Sequence, residues 1–300
     1  MYEAFFGFDR APFNNTPDTS FYFPSERHNE ALAQLLYTIQ QKKGFAVLTG
    51  EIGAGKTTLC RNLLRQLDEE KTRTAIITNP RLTGIQLLYA VAKEFGIPTP
   101  EIHRVAILES INQFLIDMLG KDVNVVLIID EAQNLPLATL EEVRLISNLE
   151  TETEKLVQIL LLGQPELRKK LEHPSLVQLR QRVAMRYHLQ ALDEEETSKY
   201  IEHRMALAGP NHRARFSSRA ISMIYRYSGG IPRLINLLSD RVLIAAYAGE
   251  TEKIGGKEVM EAIHEIEGPD WSFRKAKAQK DVAEGKKPFF RLPFFADKSR

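Results

Sequence analysis

The 300-residue sequence predicts an α/β fold in which helices cover a parallel sheet, with a smaller helical unit after it. Three observations carry the prediction. Five short segments rich in β-branched and other aliphatic residues alternate with stretches of helical spacing, the pattern of parallel strands joined by helical crossovers. The third segment, residues 125–129, is apolar at every position, as a strand buried on both faces must be. Beyond Leu189 the alternation stops and only helical patterns follow.

The expected strands are residues 45–49, 74–78, 125–129, 157–162 and 184–189. Between them, residues 84–95 and 105–119 show helical spacing, and Gly96-Ile97-Pro98 stops the first of these helices. The second unit opens at Asp193-Glu194-Glu195-Glu196, where Asp193 can cap a helix and Glu196 can close a capping box. Its helices are expected near 194–208, 217–227, 232–248 and 256–266. The organisation predicted is an α/β unit over 1–190, a helical unit over 191–267 and a tail over 268–300. In the tail, charged residues with Gly and Pro replace apolar periodicity, so poor order is expected.

Composition narrows the function classes. A single cysteine, Cys60, leaves no internal disulfide framework and no Cys-rich zinc site. The start, Met1-Tyr2-Glu3-Ala4-Phe5, lacks the basic opening and apolar core of a signal peptide, and no run of about 18 apolar residues occurs. A cytoplasmic, non-spanning protein is therefore expected. The net charge is +1, but residues 268–300 hold nine Lys/Arg against four Asp/Glu, which leaves the body at 31 against 35. Basic character is local to the tail.

The chemistry begins at Gly50-Glu51-Ile52-Gly53-Ala54-Gly55-Lys56-Thr57, directly after the first expected strand. This is a complete phosphate-binding loop. Its glycines let main-chain N–H groups close around phosphate oxygens, and the helix expected to start near Thr57 points its positive end at them. Lys56 would reach the β- and γ-phosphates, Thr57 would hold Mg²⁺, and Thr58 opens the helix behind them. The third strand ends in Asp130-Glu131, an acid pair suited to triphosphate hydrolysis, with Asp130 on the metal and Glu131 on the attacking water. The Glu also argues against a small-molecule kinase, which needs no water activator.

The fourth strand ends in Gln164-Pro165, placing an amide at the same sheet edge, where it could contact the γ-phosphate or the water. Further on, Leu179-Arg180-Gln181-Arg182 precedes the fifth strand, and Gly229-Gly230-Ile231-Pro232-Arg233 opens a later helix. An arginine aimed at the transferring phosphoryl group speeds hydrolysis by orders of magnitude, and one supplied by a neighbouring subunit ties the reaction to assembly.

Together these residues resemble the AAA+ ATPases of the general secretion pathway protein A type. The likeness runs through Tyr2, Phe5, Pro12-Phe13, Thr16-Pro17-Asp18, His28, Glu30-Ala31-Leu32, the phosphate loop, Asn79-Pro80, Asp130-Glu131-Ala132-Gln133, Leu162-Gly163-Gln164-Pro165, Leu179-Arg180-Gln181-Arg182 and Gly230-Ile231-Pro232-Arg233. The resemblance implies a P-loop NTPase of AAA+ (ASCE) type with a five-stranded sheet of order 5-1-4-3-2, a helical lid, ATP with Mg²⁺ at their junction, and assembly into a homo-oligomeric ring. It also implies that Gln164 stands at the sensor 1 position, Arg182 at the in-trans arginine finger with Arg180 as the alternative, and Arg233 at the lid's sensor 2. Many AAA+ proteins carry Asn or Thr where Gln164 stands. The segment Phe21-Tyr22-Phe23-Pro24 lies where such proteins approach adenine, although its aromatics equally suit a core.

The biological setting comes from the resemblance: assembly or energisation of a bacterial envelope secretion, pilus or polysaccharide export system, with a partner in that machinery. The alternative is a DNA-associated regulator like the transposition and replication-initiator ATPases. Such proteins need a positive track for phosphates, and the body here is net negative. The tail segment Lys286-Lys287-Pro288-Phe289-Phe290-Arg291-Leu292-Pro293-Phe294-Phe295 interleaves basic and aromatic residues, which suggests peripheral docking on anionic lipid or a membrane-bound partner.

Overall fold

Residue parity along the strands decides which of two cores each side chain enters. The computed structural model describes residues 1–15, 18–78, 80–99, 103–152 and 154–273. Within these, the chain begins with α1 (Tyr2–Phe6) and α2 (Glu26–Gln40), followed by β1 (Phe45–Gly50), α3 (Lys56–Gln66), β2 (Thr72–Ile77), α4 (Gly84–Phe95), α5 (Arg104–Gly120) and β3 (Asn124–Ile129). It continues through α6 (Leu137–Ser147), β4 (Gln158–Gly163), α7 (Pro165–Leu171), α8 (Val177–Gln181) and β5 (Met185–Leu189). The remainder is α9 (Glu194–Ala208), β6 (Arg215–Phe216), α10 (Ser218–Ser228), α11 (Pro232–Ala248), β7 (Lys253–Ile254) and α12 (Gly256–Glu267).

The first five strands form one parallel sheet in the order β2-β3-β4-β1-β5, which is the expected 5-1-4-3-2 read from its other edge. Successive side chains on a strand point to opposite faces. Phe45, Val47, Val125, Leu127, Ile129, Ile159 and Leu161 therefore pack with α4, α5 and α6, whereas Ala46, Leu48, Val126, Ile128, Leu160 and Leu162 pack with α2 and α3. Burial on both faces accounts for the unbroken apolar run of β3. At roughly 1.5–3 kcal/mol for each fully buried large aliphatic side chain, this strand anchors the sheet.

The third core differs in origin. The N-terminal aromatics Tyr2, Phe6, Phe8, Phe13 and Phe21 pack with residues of α9–α12. The Tyr2 hydroxyl donates to Asp240 Oδ1 at 2.6 Å, and Asp9 N donates to Ala208 O at 2.8 Å. The segment before α2 thus runs from the helical unit back to the sheet.

The capping box of Asp193 and Glu196 is present, and Gly96 ends α4 in the left-handed conformation. One expectation is corrected. The part after Leu189 is not helices alone, because β6 and β7 pair in parallel through Arg215–Lys253 and Phe216–Ile254. Two-residue strands are too short for alternation to register in the sequence. The second strand also begins earlier than expected, at Thr72, because its register with β3 starts at Thr72 opposite Asn124. The readings that involve Thr16-Pro17, Asn79 and the Lys286 to Phe295 segment lie outside the described residues. Among the described residues no helix is long and apolar enough to cross a membrane.

Candidate active site

Parallel register brings the chemistry to one edge of the sheet. β1, β3 and β4 all end there, so the loop after Gly50, the Asp130-Glu131 pair and Gln164 become neighbours. The loop curls because Gly53 and Gly55 take φ of 81° and 99°, a region that costs other residues energy. Space also demands glycine there. A Cβ on Gly53 would stand 2.6 Å from Arg233 Cβ, and one on Gly55 would stand 2.9 Å from His28 Nε2.

A cleft of about 420 Å³ opens between this loop, the segment preceding α2 and the helices α9 and α11. Of the residues singled out in the sequence, Ile52, Gly53, Gly55, Lys56, Thr57, Thr58, Glu131 and Arg233 line it. Gly50, Glu51 and Ala54 form the loop behind that lining, and Ala54 is buried. Lys56 is 5% exposed, and its Nζ donates to Gly50 O at 2.7 Å and Glu51 O at 3.0 Å. Burial pushes the Lys56 ammonium below its ordinary pKa, against the pull of Glu131 and Asp130.

Thr57 Oγ1 donates to Asp130 Oδ2 at 2.9 Å, and the other Asp130 oxygen accepts from Glu131 N at 2.8 Å. Asp130 is thereby locked against Thr57, behind the residues that line the cleft. A hydroxyl and a carboxylate held together are oxygen donors of the kind that Mg²⁺ takes. Among the described residues no group of three or more His, Cys, Asp or Glu could hold a metal alone, so an ion here would draw its other ligands from phosphate and water. These residues fit magnesium.

Gln164 does not line the cleft; its Nε2 donates to Glu131 Oε2 at 3.1 Å. Arg233 N donates to Gly53 O at 3.3 Å, which ties the start of α11 to the phosphate loop. Arg182 lies elsewhere. Ala184 N donates to Phe45 O, so the Arg182 segment meets β1 at the end opposite the phosphate loop, about 17 Å away along the strand. Its guanidinium is 4.0 Å from Glu150, which also pairs with Lys155.

Several lining residues were given no definite role by the sequence reading. His28 is buried, with Nε2 3.2 Å from Ala54 O and Nδ1 2.7 Å from Ser25 Oγ. A carbonyl only accepts, so Nε2 carries the proton, and burial holds the ring below its ordinary pKa. On the other side Arg204, 6% exposed, donates to Pro12 O at 2.6 Å, Asn14 O at 3.2 Å and Tyr200 Oη at 3.1 Å. Tyr200 donates onward to Asn236 Oδ1 at 3.0 Å. The Phe21 ring is contacted by two guanidiniums, Arg10 at 4.1 Å and Arg204 at 4.6 Å from its centroid, while both Phe21 and Phe23 line the cleft. The aromatic segment thus serves cleft and core at once. His28 stood among the residues of the resemblance without a role; Tyr200, Arg204 and Asn236 carried no local signal.

Comparison with known proteins agrees with this geometry. An AAA domain family matches residues 39–171. General secretion pathway protein A of Aeromonas hydrophila is 44% identical over 269 residues, which are 89% of this chain and 49% of that protein. The chain therefore spans about half the length of that relative. Among solved structures, the Aeropyrum pernix ORC2 protein superposes with a TM-score of 0.60 at 16% identity over 92% of this chain and 79% of that one. Cdc6p from Pyrobaculum aerophilum gives 0.64 at 19% over 85% and 70%, and the RuvB Holliday junction branch migration motor of Thermotoga maritima gives 0.54 at 19% over 87% and 76%. At such identities these likenesses bear on the fold alone. The phosphate loop, the acid pair, the sheet order and the sequence relatives converge: the chain carries an AAA domain and is related along 89% of its length to general secretion pathway protein A.

Proposed function

We propose that the chain binds ATP with Mg²⁺ in this cleft and hydrolyses the terminal phosphoanhydride in the service of an envelope secretion, pilus or polysaccharide export system. The observation that carries the reading is the convergence of Lys56, Thr57 and Glu131 on one cleft, with Asp130 bonded to Thr57 behind it. Lys56 exchanges its loop carbonyls for the β- and γ-phosphate oxygens, a charge-assisted contact stronger than the one it replaces. Thr57 and Asp130 would hold magnesium, which when bound would neutralise the charge that builds on the phosphate oxygens. Glu131 accepts a hydrogen bond from a water and aligns its oxygen with the γ-phosphorus; the new P–O bond forms as the bond to the β-phosphate oxygen breaks, the water's proton passes to the Glu131 carboxylate, and ADP and inorganic phosphate depart. Arg233, tied to Gly53, reports the phosphates to the lid.

Arg182 cannot serve its own site across the length of β1, which favours delivery to a neighbouring copy in a ring, with Arg180 as the alternative. The secretion setting is supported by the name of the relative from Aeromonas hydrophila. Phosphate release and thermal stabilisation by Mg-ATP test the reading on the purified chain. Turnover per chain is expected to rise with protein concentration, and Arg182→Ala is expected to remove that rise while leaving ATP binding intact. No release and no stabilisation would end the proposal, and salt-sensitive DNA binding would move it towards nucleic acid.

A further inference from the structure

The geometry points to Gln133 as the positioning residue that fixes which oxygen of Glu131 meets the attacking water, an inference that rests on the water-orienting role proposed above for Glu131. Glu131 has φ of 54°, a left-handed conformation unfavourable to a side chain with a Cβ, and opens a 3₁₀ turn at Ala132–Asn134. Something must hold that turn and its carboxylate. Lys170, on α7, donates its Nζ to Gln133 O and to Leu135 O, clamping the turn from behind.

The Gln133 side chain then has no freedom of orientation. Its Oε1 accepts the main-chain N–H of Gln164 at 3.0 Å, and an N–H can only donate, so the amide oxygen must face β4. Its Nε2 therefore faces Glu131 Oε2, at 2.5 Å. Gln164 Nε2 reaches the same oxygen at 3.1 Å. Both amides thus occupy Oε2 and leave Oε1 as the acceptor for a water in the cleft. The approach depends on Gly163, where a Cβ would stand 3.0 Å from Gln133 Oε1 and 2.7 Å from Leu167 Cδ2. Gln133 links the end of β4 to the carboxylate, so a displacement of β4 is passed to Glu131 through one amide.

Gln133→Glu isolates this role, because it keeps an acceptor for Gln164 N and replaces only the donor with an oxygen facing the Glu131 carboxylate. Steady-state phosphate release should fall about 10-fold or more in kcat, the scale expected for a misplaced reacting group, while the Kd for a fluorescent ATP analogue with Mg²⁺ stays within about two-fold. Gln133→Met, of similar length and without an amide, should show the same split if the glutamate variant is poorly folded. A kcat within two-fold of the parent in a folded variant, or a Kd that rises by the factor that kcat falls, overturns the assignment. A parent chain without ATPase activity overturns the hydrolytic reading itself, so the two failures are distinguishable.

Discussion

The phosphate-loop wall of the cleft takes its key contacts from within the sheet-bearing part of the chain, whereas the opposite wall is laced to residues near the N-terminus from far along the sequence. Lys56 reaches carbonyls six and five positions away, and Thr57 meets Asp130, 73 positions on, after the crossovers from β1 through β2 to β3. Arg204 reaches Pro12 O across 192 positions and Asn14 O across 190. The first wall exists once the sheet has formed. The second exists only when the N-terminal segment, α9 and α11 have met, so the helical unit and the N-terminal segment are fixed together. The two walls also treat charge differently. Lys56 is buried at a cost that a phosphate offsets, while Arg204 is already satisfied by carbonyls, a hydroxyl and an aromatic face.

Breaking each wall in turn sharpens the contrast. The largest effect is expected from Lys56→Ala, which removes a charge-assisted contact of up to about 3 kcal/mol and should weaken ATP binding about 100-fold, with turnover lost. Its unfolding free energy should equal or exceed that of the parent, because a desolvated charge is gone; isothermal calorimetry and urea melts check both halves. Arg204→Ala should do the reverse. Two buried acceptors and the partly buried carbonyl of Asn14 lose this donor, so stability should fall by about 3 kcal/mol in a urea melt, with ATP affinity reduced about 10-fold through the loosened N-terminal segment. Equal losses of stability in the two variants would break the comparison.

The smallest effect concerns His28, where the walls join. Burial lowers its pKa in the folded chain below the ordinary 6.5, so on acidification the unfolded chain takes up the proton first. Its contribution to stability is full above about pH 6.5 and is lost as pH falls towards the folded value. His212 shifts in the same direction, also chiefly by burial. Urea melts between pH 7.5 and 5.5 should show declining stability, and His28→Gln should make that decline shallower without abolishing it.

The same contrast explains what the sequence disclosed. The glycine pattern, Lys56, Thr57 and the acids at the end of an apolar strand are local features, and periodicity located all five sheet strands. Arg204 and Tyr200 look like ordinary polar positions on a helix until Phe21, Pro12 and Asn14 are brought against them by tertiary packing. Gln133 was visible in Asp130-Glu131-Ala132-Gln133, yet its orientation depends on a main-chain N–H at Gln164, 31 positions away. Placement of Arg182 at the far end of β1 likewise needed the register of strands and not their composition.

Glu131→Gln tests the central claim most directly, with Mg-ATP binding and phosphate release measured side by side on the variant and the parent. Retained affinity with turnover reduced about 100-fold or more is expected, as for loss of a group that steers the attacking water. Equal turnover in the two proteins would contradict the account.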